Sequence, residues 1–167
     1  MAGPKQLKRI NVWADGGSYL GVIKAFDEPK LVQATGDWRG GGMTGTIKVG
    51  RGMEAMDCTI TMGGHVRALV RKFSASGGTR LRLVLEYAAD GDTSVEVVEI
   101  YLRGKIHEID FGSAKPGDDT EHKHKVDVHY YRRVVDGTID VLHDPVNGIT
   151  QVAGVDIIPP ASSALTG

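Results

Sequence analysis

Arg80-Leu81-Arg82-Leu83-Val84-Leu85-Glu86-Tyr87 is the stretch whose reading decides the fold class. Leu81, Leu83, Leu85 and Tyr87 alternate with Arg80, Arg82, Val84 and Glu86. Successive side chains of a strand point to opposite faces, so one face of this strand is buried and the other meets water. Asp90-Gly91-Asp92 then turns the chain. In the next run Val95 and Val97 set one phase, whereas Val98, Ile100 and Leu102 set the other. A one-residue slip moves an apolar set to the wrong face, so a β-bulge or strong bend is predicted near Val97–Val98. Phe111 to Thr120 is a polar loop. Val126, Val128 and Tyr130 alternate in a strand that runs on to Val135. Asp136-Gly137 is a tight turn into Ile139 to Leu142, and Asp144-Pro-Val-Asn-Gly148 turns again before Ile149 to Val152.

Upstream, Ile10 to Ala14 and Tyr19 to Ala25 flank Asp15-Gly16-Gly17-Ser18, a hairpin signal. Glu28-Pro29 breaks the chain, and Leu31 to Thr35 reads as a further strand. Trp38 to Met56 is punctuated by glycine. Within it Thr44 to Val49 and the following Asp57 to Met62 read as two strands joined through Gly50-Arg51-Gly52. Met43, Met53 and Met56 have few branched neighbours to pack them, and a lone hairpin is marginal in water. The hairpin is therefore expected to dock on another copy of the chain. Val66, Leu69, Val70 and Phe73 fall at helical spacing after Gly63-Gly64-His65, which predicts one amphipathic helix closed by Ser74-Ala-Ser-Gly-Gly. The sum is a mainly β protein, an antiparallel β-barrel or sandwich with one α-helix and a long protruding hairpin. Residues 1–158 form one domain, and 159–167 read as a flexible C-terminal tail.

The composition is that of an ordinary globular chain, with 41% hydrophobic and 25% charged residues and a net charge of −1. Nothing in that balance draws the chain to nucleic acid or an anionic membrane. The halves differ: residues 1–83 carry 13 Lys+Arg against 6 Asp+Glu, and residues 84–167 carry 7 against 15. Such segregation suits either a mixed surface or self-complementary faces. Cys58 stands alone, which excludes an internal disulfide and a multi-cysteine zinc site. No run reads as a signal peptide or a bilayer span.

No constellation supports an enzyme. Gly40, Gly42 and Gly45 match G-x-G-x-x-G, but a strand rather than a helix is expected after them. His122 and His124 share a strand face, with His129 on the other, and no third ligand joins them. Glu121-His-Lys-His-Lys reads as a polar, solvated strand end, and a metal-binding β-barrel is the minor alternative. The aromatics, 6% of the chain, are not interleaved with a basic patch. No catalytic, cofactor-binding or metal-ligating residue is nominated, and no cofactor is implied.

Pro29-Lys-Leu31, Trp38-Arg-Gly-Gly-Gly-Met43, Gly52-Met-Glu-Ala-Met56, Leu102-Arg-Gly104, Lys105-Ile-His-Glu-Ile-Asp110 and Gly117-Asp-Asp-Thr-Glu121 stand in one order. Tyr130-Tyr-Arg132, Asp136-Gly137, Asp144-Pro-Val-Asn-Gly148 and Val152-Ala-Gly-Val-Asp156 continue it. In this collinear order the chain resembles the major tail tube protein of contractile-tailed phages, a protein also used by R-type bacteriocins. The resemblance implies homo-hexameric rings stacked into a hollow tube. The implied partners are a sheath protein, a tape measure protein, a baseplate tube initiator and a tail terminator. The resemblance also implies transient passage of DNA without specific binding. The implied place is the virion tail, assembled in the host bacterial cytoplasm. A tube subunit of a bacterial secretion or injection system is the alternative. Trp38, Arg39, Gly42, Met43, Arg51, Met53, Glu54, Ala55 and Met56 are the nominated subunit or ring interface. Glu86, Glu96 and Asp127 are the nominated lumen charges.

Overall fold

The computed structural model describes residues 3–166. β1 (Gln6–Ala14) turns through Asp15-Gly16 into β2 (Gly17–Ser18). Both turn residues have positive φ, 48° and 83°, as a type I′ turn requires. The expected return strand from Tyr19 to Ala25 does not form. Val22 N and Ile23 N both donate to Tyr19 O, and the chain turns away at Gly21 into β3 (Ile23–Asp27). β4 (Gln33–Trp38) and β5 (Ile47–Met53) then pair with each other alone among the described residues. The protruding hairpin is present, but its strands differ from those read in the sequence. Gly50-Arg51-Gly52 lies inside β5, and the connection is the loop from Arg39 to Thr46. The run expected as its second arm is β6 (Met56–Met62), a core strand. The reason is phase: Met56, Cys58, Ile60 and Met62 all point inward, whereas Ile47 and Val49 of the glycine-rich β5 stay open to solvent.

The predicted helix shrinks to one turn, α1 (Arg67–Val70). Val66 at its N-cap makes no side-chain cap bond, and only His65 separates it from Gly63-Gly64, so little favours a longer helix. Val66 and Leu69 are buried as expected, but Phe73 is exposed. Ser74 N donates to Ile106 O at 2.9 Å, which captures this end of the segment on a strand.

β7 (Thr79–Ala88), β8 (Glu96–Asp110) and β9 (His122–Val135) form the centre of a ten-stranded sheet. β10 (Thr138–Asp144), β11 (Ile149–Val152) and β12 (Val155–Asp156) extend it on one side, and β1 with β2 on the other. All named pairings are antiparallel. β9 changes partner along its length. His122 to Val128 pair with β6, which carries β3, and Tyr131 to Val135 pair with β10. β3 comes to lie beside β1, so the sheet curls toward a barrel around Val12, Leu83, Ile100, Ile106 and Val126. The last element, α2 (Ser163–Thr166), follows Ala161, whose N–H donates to Gly148 O.

The strand phases show where the sequence reading holds and where it fails. Leu81, Leu83 and Leu85 face the core as read. No bulge occurs at Val97–Val98, because β7 and β8 stay in register from Glu96 to Gly104. Val98 sets the buried phase, and Val95 lies outside the strand. Two irregularities sit farther on in the pairing with β9, one between Ile106 and Glu108 and one between Arg103 and Gly104, where Arg103 faces Tyr130 and Gly104 faces Val128. His129 is the extra residue. It inverts the inward phase of β9, so Tyr131 rather than Tyr130 takes the core position, at 1% exposure. Gly104 makes this possible, since a Cβ there would lie 2.0 Å from Asp127 O.

His122 and His124 are buried, which corrects the reading of a solvated strand end. They share the inward face with Val126 and Val128. His124 is opposite Ile60 of β6 and Ile109 of β8, and neither ring nitrogen has a partner. Burial, then the neighbouring His122, pushes its pKa down. The ring of His122 meets His65 and Phe111 edge-on. The described residues contain no three-ligand cluster of His, Cys, Asp or Glu.

Two outcomes follow from these positions. Gly104→Ala should cost about 3 kcal/mol or more in urea unfolding, because a backbone carbonyl, not a flexible side chain, blocks the added methyl. His124 is neutral in the fold, so below about pH 6.5 the unfolded chain takes up the proton first and stability falls as the pH drops. His143, also lowered by burial, adds in the same direction. Melting of His124→Leu should therefore lose less on going from about pH 7 to about pH 5 than melting of the parent chain. Equal losses would remove His124 from the acid response.

Candidate assembly surfaces

The β4–β5 hairpin is attached at its base and free at its tip. Glu54 N donates to Val32 O at 2.9 Å. Leu31, Gln33 and Met53 line an apolar cleft with Val141, Thr150, Val152 and Ile157, which seats the base against β10 and β11. Beyond that base the ladder runs from Thr35 opposite Gly50 to Trp38 opposite Ile47. Gly36 and Gly50 let long side chains cross the ribbon, since Arg51 and Gln33 occupy the places that their Cβ atoms would take. At the tip Met43 folds back, and Gly40 N donates to its sulfur at 3.0 Å. Trp38 is 57% exposed, and Ile47 and Val49 are also open to solvent. A two-stranded ribbon with unpaired edges and bare apolar side chains lacks a core of its own.

The nominated interface residues separate accordingly. Trp38, Arg39, Gly42 and Arg51 lie on the exposed hairpin, and Met43 is half-buried at its tip. Met53 is half-buried at the base, and Glu54 and Ala55 form the exposed link to β6. Met56 is a core residue at 5% exposure and leaves the interface set. The sequence put it on the hairpin because the true turn was placed too late.

Glu86, Glu96 and Asp127 are not brought together. Glu86 is opposite Val97, and Glu96 is opposite Tyr87, so the first two take alternate phases of adjacent strands. Each has a basic neighbour. Arg9 pairs with Glu86, Lys5 with Glu96, and His107 Nδ1 lies 3.1 Å from Asp127 Oδ1. As placed, the three do not form one acidic lining.

A different array crosses the outward face of the sheet. Trp13, Arg82, Tyr101 and Arg132 come from β1, β7, β8 and β9 in register. The Arg82 guanidinium lies 4.8 Å from the Trp13 ring centre, and Arg132 lies 4.2 Å from that of Tyr101. In the next row Arg103 lies over Tyr130 at 5.7 Å, with Arg80 opposite Arg103. These residues line a groove of about 680 Å³ closed at its rim by the Asp15-Gly16 turn and the Asp144–Asn147 turn. Tyr101 Oη donates to Glu99 Oε2, which with Arg82 at 3.4 Å holds the Glu99 carboxyl below its usual range. Sequence reading found no such interleaving, since the rings and guanidinium groups lie far apart in the chain. The local signals were the Arg80 and Arg82 alternation and the two-residue spacing of Tyr101 to Arg103 and of Tyr130 to Arg132.

The folded shape has known counterparts. A chain in the structure of the PVC sheath/tube terminator, from an extracellular contractile injection system, matches with a TM-score of 0.59 at 10% identity, over 80% of this chain and 97% of that one. A chain of the PVC sheath-tube complex matches with a TM-score of 0.58 at 11% identity, over 80% and 91%. These likenesses show a shared fold. Sequence relatives are nearer. The tail tube protein of Escherichia phage P2 is 36% identical over 161 residues, covering 93% of this chain and 94% of the relative. The major tail tube protein of Serratia phage KSP20 is also 36% identical, over 95% and 94%. Residues 4–165 match the family described as phage tail tube protein FII. The hairpin, the curled sheet and the flanking turns all fall within that match, so the chain belongs to the phage tail tube protein FII family.

Proposed function

We propose that six copies of this chain close into a ring, that rings stack into the inner tube of a contractile phage tail, and that the exposed hairpin joins neighbouring copies. As a tail tube protein the chain is a structural subunit, and its relatives are tail components rather than enzymes. The observation that carries the assembly reading is the hairpin: Trp38, Ile47 and Val49 are bare on a ribbon whose edges are unpaired among the described residues. Burying such a ribbon against a second copy removes apolar surface from water and pairs open edges. A closed ring needs heterologous contacts, in which one face meets a different one. The hairpin and the receiving side of the curled sheet supply two such faces.

In this reading the tube carries a sheath outside and a tape measure protein inside, with an initiator at the baseplate and a terminator at the other end. Subunits assemble in the host cytoplasm, and DNA later crosses the lumen. Passage requires a wall that binds phosphate weakly, because many parallel phosphate contacts would hold the DNA in place. A tube of a bacterial injection system shares the fold, but the relatives at 36% identity are phage proteins, which favours a phage tail.

Negative-stain electron microscopy of the concentrated parent chain should show hollow sixfold rings or tubes. Trp38→Ala with Ile47→Asp should abolish them and leave monomer unfolding within about 0.5 kcal/mol of the parent, because neither side chain is buried. Tubes that survive the double substitution, or a monomer that unfolds with it, would remove the hairpin from the contact.

A further inference from the structure

The β1–β7–β8–β9 sheet has a basic end and an acidic end. At the first, Arg80, Arg82, Arg103 and Arg132 converge on one groove. Of these, Arg82 alone lies within ion-pair distance of a carboxylate among the described residues, and both it and Arg132 act on that one group, Glu99. The rim carboxylates are already engaged: Asp15 lies 2.9 Å from Lys72 Nζ, and Asp144 accepts from Asn147 Nδ2 at 2.7 Å. Rings stacked on the guanidinium faces leave the in-plane N–H groups free, the geometry that takes a carboxylate. At the other end of the same strands the loop between Ala88 and Glu96 is polar at its tip, and Asp90 and Asp92 are exposed. Asp92, Glu96 and Asp136 all bear on the single Lys5. The net charge is only −1, so whole copies do not repel and the polarity along the strands governs how they meet.

We infer that the arginine groove of one subunit receives the Asp90–Asp92 loop of the next copy, in a head-to-tail contact that rests on the tube reading. One chain carries both halves of the contact at opposite ends of the same strands, which is what an open-ended stack requires. The contact also gives the stack a direction, since groove against groove would place like charges together. It is distinct from the hairpin, which acts through apolar surface.

Sedimentation velocity at low ionic strength tests the contact with the full chain. The parent should associate, and salt at about 0.5 M should weaken it. Arg80→Glu with Arg103→Glu, at exposed positions that leave the Arg82 stack on Trp13 intact, should weaken association at least tenfold. Asp90→Lys with Asp92→Lys should do the same. Mixing the two folded variants should restore association, because the reversed groove then meets the reversed loop. A parent that stays monomeric, a groove variant that associates like the parent, or a mixture that fails to restore association would overturn the contact. A groove variant that keeps association but loses binding of a DNA oligonucleotide would overturn it too and assign the groove to phosphate. Stacked tubes that form unaffected by these changes would sink the contact and leave the tube reading standing. Rescue by mixing without any ring would sink the tube reading and leave the contact.

Discussion

The approach of Gly104 to the Asp127 carbonyl is the constraint on which the rest of the sheet depends. With no side chain there, β8 can close on β9 at the point where His129 adds an extra residue. That addition changes which residues of β9 face inward. Before it, His124, Val126 and Val128 point to the core; after it, Tyr131 does. Without the inversion Arg132 would take a core position and Tyr131 would be expelled. With it, Tyr131 lies inside with its hydroxyl donating to Glu28 at 2.7 Å, and Arg132 joins Tyr101 outside. The same region is where β9 leaves β6 for β10, so a single backbone irregularity divides the sheet into its two branches.

The division has a consequence for assembly. The main path of the sheet ends in a two-residue strand on each side, β2 and β12, which offers little backbone for uncontrolled pairing. The longest open ribbon is instead the β4–β5 hairpin, which carries a run of glycines and the exposed side chains of Trp38, Ile47 and Val49. The monomer thus keeps its apolar core sealed and confines its adhesive backbone to one projecting element. Charge is organised separately, with guanidinium groups at one end of the strands and carboxylates at the other. An apolar contact supplies free energy without much direction, and a charged one supplies direction at modest net gain.

The buried histidines show how local reading fails. Glu121-His-Lys-His-Lys is a polar string, and alone it reads as solvated. Alternation rescues it: Lys123 and Lys125 face water while His122 and His124 continue the inward phase of Val126 and Val128. The information was present in the period-two pattern but was outweighed by composition. Imidazole in its neutral form can enter a core at less cost than ammonium, which is why the lysines of the pair-wise pattern stay outside. The helix was over-read for the opposite reason. Its apolar spacing was correct over Val66 and Leu69, but nothing capped it, and a ladder bond to Ile106 held its far end.

The sequence by itself determined the fold class, because alternation over Leu81 to Tyr87 and the Asp-Gly turns are local signals that act within a few residues. It also determined the family, since an ordered series of short motifs carries over without knowledge of contacts. Strand partners were decided only by the tertiary structure. Nothing local told Met56–Met62 to pair with β3 and β9 rather than with the glycine-rich run before it. The placing of the bulge at Gly104 and His129 likewise needed two strands at once, as did the row from Trp13 to Arg132, which spans four. Pairing and register are set by packing between residues far apart in the chain, and a one-dimensional pattern records which side of a strand is buried but not against what.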